Sequence, residues 1–140
     1  GEPFLYFEHL VDILEKAKKQ KFGETDLLET NGYWAKDNNI TEKRLRLLDK
    51  LHINRLKISC DPFHQEYVDI EPVRRLAEIA EDILGSERVM VRWRDYLDKP
   101  LNLKEFTPQR RREYYKKTMR EYPCRFTGRV ADKLAPSCCL

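Results

Sequence analysis

Between Arg55 and Asp61 apolar and polar residues alternate, with Leu56, Ile58 and Cys60 on one side and Lys57, Ser59 and Asp61 on the other. A period of two marks a strand with one buried face, and Pro62 is expected to end it. Arg88 to Arg94 repeats the pattern, setting Val89, Val91 and Trp93 against Met90, Arg92 and Arg94. Thr25 to Thr30 is a third β-compatible run, closed by the turn-forming pair Asn31-Gly32.

Helical spacing fills the intervals. Leu10, Val11, Ile13, Leu14 and Ala17 predict a helix over residues 7–21, with Lys16, Lys18, Lys19 and Lys21 gathered at its C-terminal end and Gly23 as its stop. Leu45, Leu47, Leu48 and Leu51 predict a second, with Asn39 and Thr41 as candidate N-caps. The clearest stripe runs from Val73 through Leu76, Ala80 and Ile83 to Leu84, with Pro72 in its first turn and Gly85 closing it. Thr107-Pro108 starts a helix to about Tyr122, which Tyr115 and Met119 are expected to pack back on the domain. Pro123 to Leu140 carries few signals.

Helix, strand, helix, strand, helix, strand, with strand ends near Thr30, Ser59 and Arg92, repeats at about the 30 residues of one βαβ unit. That order predicts an α/β fold of repeated βα units with a parallel sheet and right-handed crossovers. The apolar strand faces should meet the helices. Lys57, Ser59, Asp61, Arg92 and Arg94 then share the opposite side, where polar residues suit a barrel lumen or cleft better than a second helix layer. The unit is expected to occupy residues 1–97, leaving 98–140 as a helical and irregular extension.

Composition narrows the classes. A chain of 140 residues, 41% hydrophobic and 36% charged, fits one soluble globular domain. Its 27 basic and 24 acidic residues give a net charge of +3, too balanced to argue for nucleic acid. No apolar run approaches the roughly 20 residues of a membrane span, so no membrane partner is expected. The start has neither a basic n-region nor a cleavage pattern, which makes the cytoplasm the simplest expected address. Cys60, Cys124, Cys138 and Cys139 form no Cys-x-x-Cys pair and are expected to be reduced thiols; the last three would need residues from elsewhere to complete a metal site.

Ser59, Cys60, Asp61 and His64 hold a hydroxyl, a thiol, a carboxylate and an imidazole within six positions. Working triads are assembled by geometry from distant segments, so proximity alone does not make them catalytic. Cys60, on the apolar face, is expected to be a small buried hydrophobe. His64 stands open between a loop residue bonded to backbone and a ligand contact. The run from Arg110 to Lys117, with Tyr114 and Tyr115, has the content of a nucleic-acid surface, but Glu105, Glu113 and Glu121 interrupt it and a solvated helix face is preferred. A non-catalytic α/β interaction module using that run is the alternative reading.

Four segments together resemble the radical S-adenosylmethionine enzymes: Gly1-Glu2-Pro3, Thr30-Asn31-Gly32, Ile58 to Glu66, and Val89 to Arg92, each at a predicted strand end. The resemblance covers about residues 1–97. It implies part of a (β/α)6 partial barrel, with S-adenosylmethionine and a [4Fe-4S] cluster as cofactors in the complete enzyme, an electron donor for that cluster, and a small-molecule or peptide substrate it does not identify. By position, Gly1, Glu2 and Pro3 resemble the Gly-Gly-Glu-Pro turn that receives the methionine amino group. Ser59 and Asp61 resemble the ribose contacts, Thr30 and Asn31 are candidates to touch cofactor or substrate, and Arg92 is a candidate partner of the cofactor carboxylate. His64, Gln65 and Arg94 are candidates for the substrate side. The family's Cys-x-x-x-Cys-x-x-Cys loop is absent from the sequence, so the chain is expected to be an interior piece that binds no metal alone.

Overall fold

The computed structural model describes residues 1–23 and 25–122. After a 3-10 turn at Pro3–Tyr6 come α1 (Phe7–Lys19), β1 (Thr25–Thr30), α2 (Asn38–Lys50), β2 (Ile53–Ser59), α3 (Pro62–Gln65), α4 (Ile70–Leu84), β3 (Val89–Arg92), α5 (Asp95–Asp98) and α6 (Pro108–Glu121). The strands are all parallel in the order β1-β2-β3, so α2 and α4 carry the chain from each strand to the next. The protein is therefore a mixed α/β fold with a three-stranded parallel sheet.

Period-two alternation decides how the layers stack. Leu28 pairs with Leu56 and Leu56 with Val89, which places these side chains on one sheet face with Ile58. Leu56 and Ile58 are fully buried there, against Leu45 and Leu48 of α2 and Leu76 and Ala80 of α4. Each large apolar side chain so buried contributes about 1.5–3 kcal/mol. Glu29, Lys57, Ser59, Met90 and Arg92 line the other face, where Glu29 and Met90 are exposed and the rest half-buried.

Several boundaries differ from expectation for identifiable reasons. The N-cap of α2 is Asp37, whose carboxylate accepts from the Ile40 N–H at 2.9 Å, so Asn39 and Thr41 lie inside the helix. Thr41, fully buried, turns its hydroxyl back to donate to the Asp37 carbonyl at 2.6 Å. β2 stops at Ser59, short of the expected end at Pro62, and Pro62 instead opens α3, a one-turn helix where only a loop was expected. β3 stops at Arg92, and Trp93-Arg94 turn into α5. Arg94 consequently leaves the polar sheet face and pairs with Glu81 of α4, correcting the expectation that it shares a side with Lys57 and Arg92.

Two glycines permit close turns. Gly85, at φ +91°, ends α4. Gly32, at φ +76°, lies so near α4 that a Cβ would stand 3.3 Å from Leu76 and 3.4 Å from the Val73 backbone. The first turn of α6 is capped by Thr107. That helix packs through buried Tyr115, whose ring stacks on Phe63 at 4.6 Å, with Leu103 and Met119 beside it. The Tyr96 and Thr118 hydroxyls join at 2.9 Å. Among the described residues no helix is long and apolar enough to cross a membrane.

Candidate functional site

Glu2 caps the opening 3-10 turn, and in doing so its carboxylate is pinned from three directions. Oε1 accepts from the Phe4 N–H at 3.1 Å and from the Thr30 hydroxyl at 2.9 Å, while Oε2 accepts from the Asn31 N–H at 2.7 Å. All three donors are neutral. Thr30 is buried and also accepts from the Gly32 N–H at 3.2 Å and the Trp34 indole N–H at 3.0 Å, which ties the end of β1 to the N-terminal turn. Trp34 stacks on Phe4 at 4.4 Å and completes the base of this network. Asn31 uses Oδ1 to accept from the Tyr33 N–H at 3.1 Å.

Asp61 performs the corresponding task after β2. Its buried carboxylate accepts from the His64 N–H at 3.0 Å, capping α3, and the same Oδ1 lies 2.8 Å from His64 Nδ1. Cys60, one residue earlier, points the other way into the core. Burial pushes its thiol up to about 12, with the Asp61 and Asp95 carboxylates adding to the shift, so it is not a ready nucleophile.

Glu2, Asn31 and His64 meet at one pocket of ≈ 260 Å³ beyond the C-terminal ends of the strands. Leu5, Tyr33, Tyr67 and Val68 supply its apolar wall. These four were not legible as site residues, although Tyr33 directly follows the Asn31-Gly32 turn and Tyr67 stands one helical turn after His64. The polar lining is mixed: the Glu2 carboxylate accepts only, Asn31 keeps its side-chain N–H donors because Oδ1 is spent on Tyr33, and the Tyr33 and Tyr67 hydroxyls can donate or accept. A ligand with donor groups and an apolar body matches that surface.

The other predicted residues lie elsewhere. Ser59 and Arg92 are register partners on the polar sheet face, and the Arg92 guanidinium lies over the Trp93 ring at 4.8 Å. Gly1 is exposed and Pro3 opens the 3-10 turn, so both frame Glu2 rather than enter the pocket. Gln65 is buried and accepts from the Leu101 N–H at 2.8 Å, a tie between α3 and the chain before α6. The basic run of α6 is partly spent internally. Arg111 donates to the Phe106 carbonyl at 3.0 Å, Arg110 stacks on Phe106 at 4.1 Å, and Tyr115 is buried against Glu66.

No group of three or more His, Cys, Asp or Glu placed to hold a metal ion occurs among the described residues, so those residues do not fit an iron–sulfur cluster. Cys124, Cys138 and Cys139 lie outside them. Comparison with family models, curated proteins and solved structures finds no match to this chain.

Proposed function

We propose that the chain is a cofactor-holding wall of a radical S-adenosylmethionine enzyme, its parallel sheet forming part of a (β/α)6 barrel. The observation that carries this reading is the meeting of Glu2, Asn31 and His64, from three separate segments, at one pocket past the strand ends. The strand order supports it as well. Consecutive parallel strands with α2 and α4 packed on one face and polar residues on the other are the arrangement of a barrel wall, whereas a doubly wound sheet reverses direction and covers both faces.

The residues present fit the amino-acid end of the cofactor. Glu2 keeps an unused acceptor position on Oε2 for an ammonium group, and its three neutral partners leave its charge uncancelled. Ser59 and Arg92 offer a hydroxyl and a guanidinium side by side for ribose and carboxylate groups. Asp61 has Oδ2 left for a hydroxyl donor, Oδ1 being committed to His64. Of the residues expected on the substrate side, His64 alone lines the pocket, because Gln65 and Arg94 are tied elsewhere. When bound to a reduced cluster, S-adenosylmethionine supplies an organic radical; the part of these residues is to bind and orient it.

Titration of the chain with S-adenosylmethionine, followed by amide NMR, tests the reading. Saturable shifts at Asn31, Tyr33 and His64 are expected, and Glu2→Gln should weaken them about tenfold, the loss of one charge-assisted bond of roughly 1.5 kcal/mol. Absence of saturable shifts at those three positions would sink the proposal.

A further inference from the structure

We propose that His64 is a proton acceptor in this pocket, positioned by Asp61, and that it serves a hydroxyl or amine of a small ligand brought against Nε2. The inference rests on the pocket being the ligand site and adds a role that holding a cofactor does not require.

Three features fix the imidazole. Asp61 is buried on an extended backbone, and its Oδ1 is 2.8 Å from Nδ1 while also accepting the His64 N–H at 3.0 Å. An ionised carboxylate is an acceptor only, so Nδ1 carries the proton and the lone pair of the neutral ring sits on Nε2. Nδ1 is turned to a side chain only 10% exposed, while the His64 side chain is 41% exposed and lines the pocket, which leaves Nε2 as the ring nitrogen for a ligand.

The surroundings define what that ligand is. Leu5, Val68 and the rings of Tyr33 and Tyr67 contact an apolar body, while Glu2 provides a second acceptor across the same pocket. A small molecule with an apolar part and at least one O–H or N–H donor satisfies both. On transfer, the ligand O–H or N–H bond breaks and its electron pair stays on the ligand atom. The proton bonds to Nε2, and the imidazolium lies against the Asp61 carboxylate, whose charge offsets it. Asp61 is the positioning residue and His64 the one that touches the ligand.

Nitrogen NMR of labelled histidines in the full chain tests this, with His64→Gln separating its signals from those of His9 and His52. The expected spectrum shows neutral His64 protonated at Nδ1 and bare at Nε2. Asp61→Ala removes the Oδ1 that faces Nδ1 and should abolish that tautomer preference, whereas Asp61→Asn keeps an acceptor oxygen there and should preserve it. A native His64 protonated at Nε2, or a tautomer indifferent to Asp61→Ala, overturns the proposal. Two probes then separate it from the cofactor reading: S-adenosylmethionine and methyl β-ribofuranoside, which has the hydroxyls without the amino acid or base. A saturable Nε2 shift with either supports the proton acceptor. Shifts at the Asn31 amide with S-adenosylmethionine, while Nε2 answers neither probe, overturn the acceptor and leave the cofactor reading standing. An Nε2 response to the riboside with no response to S-adenosylmethionine does the reverse, and silence with both overturns both.

Discussion

Glu2 and Glu29 are carboxylates at opposite sides of β1, and the chain uses them in opposite ways. Glu29 lies on the polar sheet face and meets Lys57 at 2.8 Å, its side chain 54% exposed. Its charge is cancelled by the half-buried Lys57 ammonium, and with the carboxylate open to water the pairing is worth about 0–1 kcal/mol. Glu2 is held instead by two backbone N–H groups and the Thr30 hydroxyl, partners that fix its position without neutralising it. Asp61 follows the same rule, held by a backbone N–H and an imidazole. A carboxylate paired with lysine has finished its work within the fold. One held by neutral donors still presents its charge to whatever enters the pocket.

Removing the Thr30 hydroxyl attacks this distinction hardest. Thr30→Val strips a bond from Glu2 and leaves the Trp34 indole N–H unpaired in a buried site. At about 1–3 kcal/mol per orphaned group, a loss of about 2–4 kcal/mol is expected in urea denaturation, and under about 1 kcal/mol would show that the network does not hold the turn. Asp61→Ala ranks next, costing about 1–2 kcal/mol through the lost cap of α3, whereas Asp61→Asn should stay within about 0.5 kcal/mol. Equal losses in the two variants would assign the effect to charge instead.

The Cys60 thiol sharpens the comparison from the core side. Its ordinary value of 9.0 rises to about 12 in the folded chain, so the folded state holds the proton longer. That stability is present in full below pH 9 and is lost as pH rises through 12. Between pH 9 and 10 native protein should lose about 1 kcal/mol more than Cys60→Val as read by thermal denaturation against pH, the raised Tyr96, Tyr115 and Tyr122 hydroxyls acting alike in both proteins. The smallest effect belongs to Glu29→Gln, within about 0.5 kcal/mol in urea; a loss above about 1 kcal/mol would erase the contrast with Glu2.

How much was legible in the sequence depends on the range of the force involved. Burial has a period, so the limits of β1, the buried side of β2 with Leu56, Ile58 and Cys60, and the cap and length of α6 could be read from residues alone. Choice among neighbouring polar groups has none. Asp37, Asn39 and Thr41 are all competent caps, and Asp37 wins because Thr41 is buried and spends its hydroxyl on the Asp37 carbonyl. Arg94 kept the alternation on paper, but the strand ended two residues earlier and the turn carried it to Glu81. In the pocket, Glu2, Asn31 and His64 were readable as chemistry, while Leu5, Tyr33, Tyr67 and Val68 became its wall only through the packing of the turns.

Trp34 gives the pocket an optical readout of its own. Its indole N–H and the Glu2 carboxylate share one hydroxyl, so a cation arriving at Glu2 changes the field across the chromophore through a single intervening atom. The second tryptophan, Trp93, stacks on Tyr122 at 4.5 Å outside that network and lies under the Arg92 guanidinium at 4.8 Å, so it reports on a carboxylate arriving at Arg92 instead. Emission from the two rings should therefore separate on binding, with the native chromophore acting as the label.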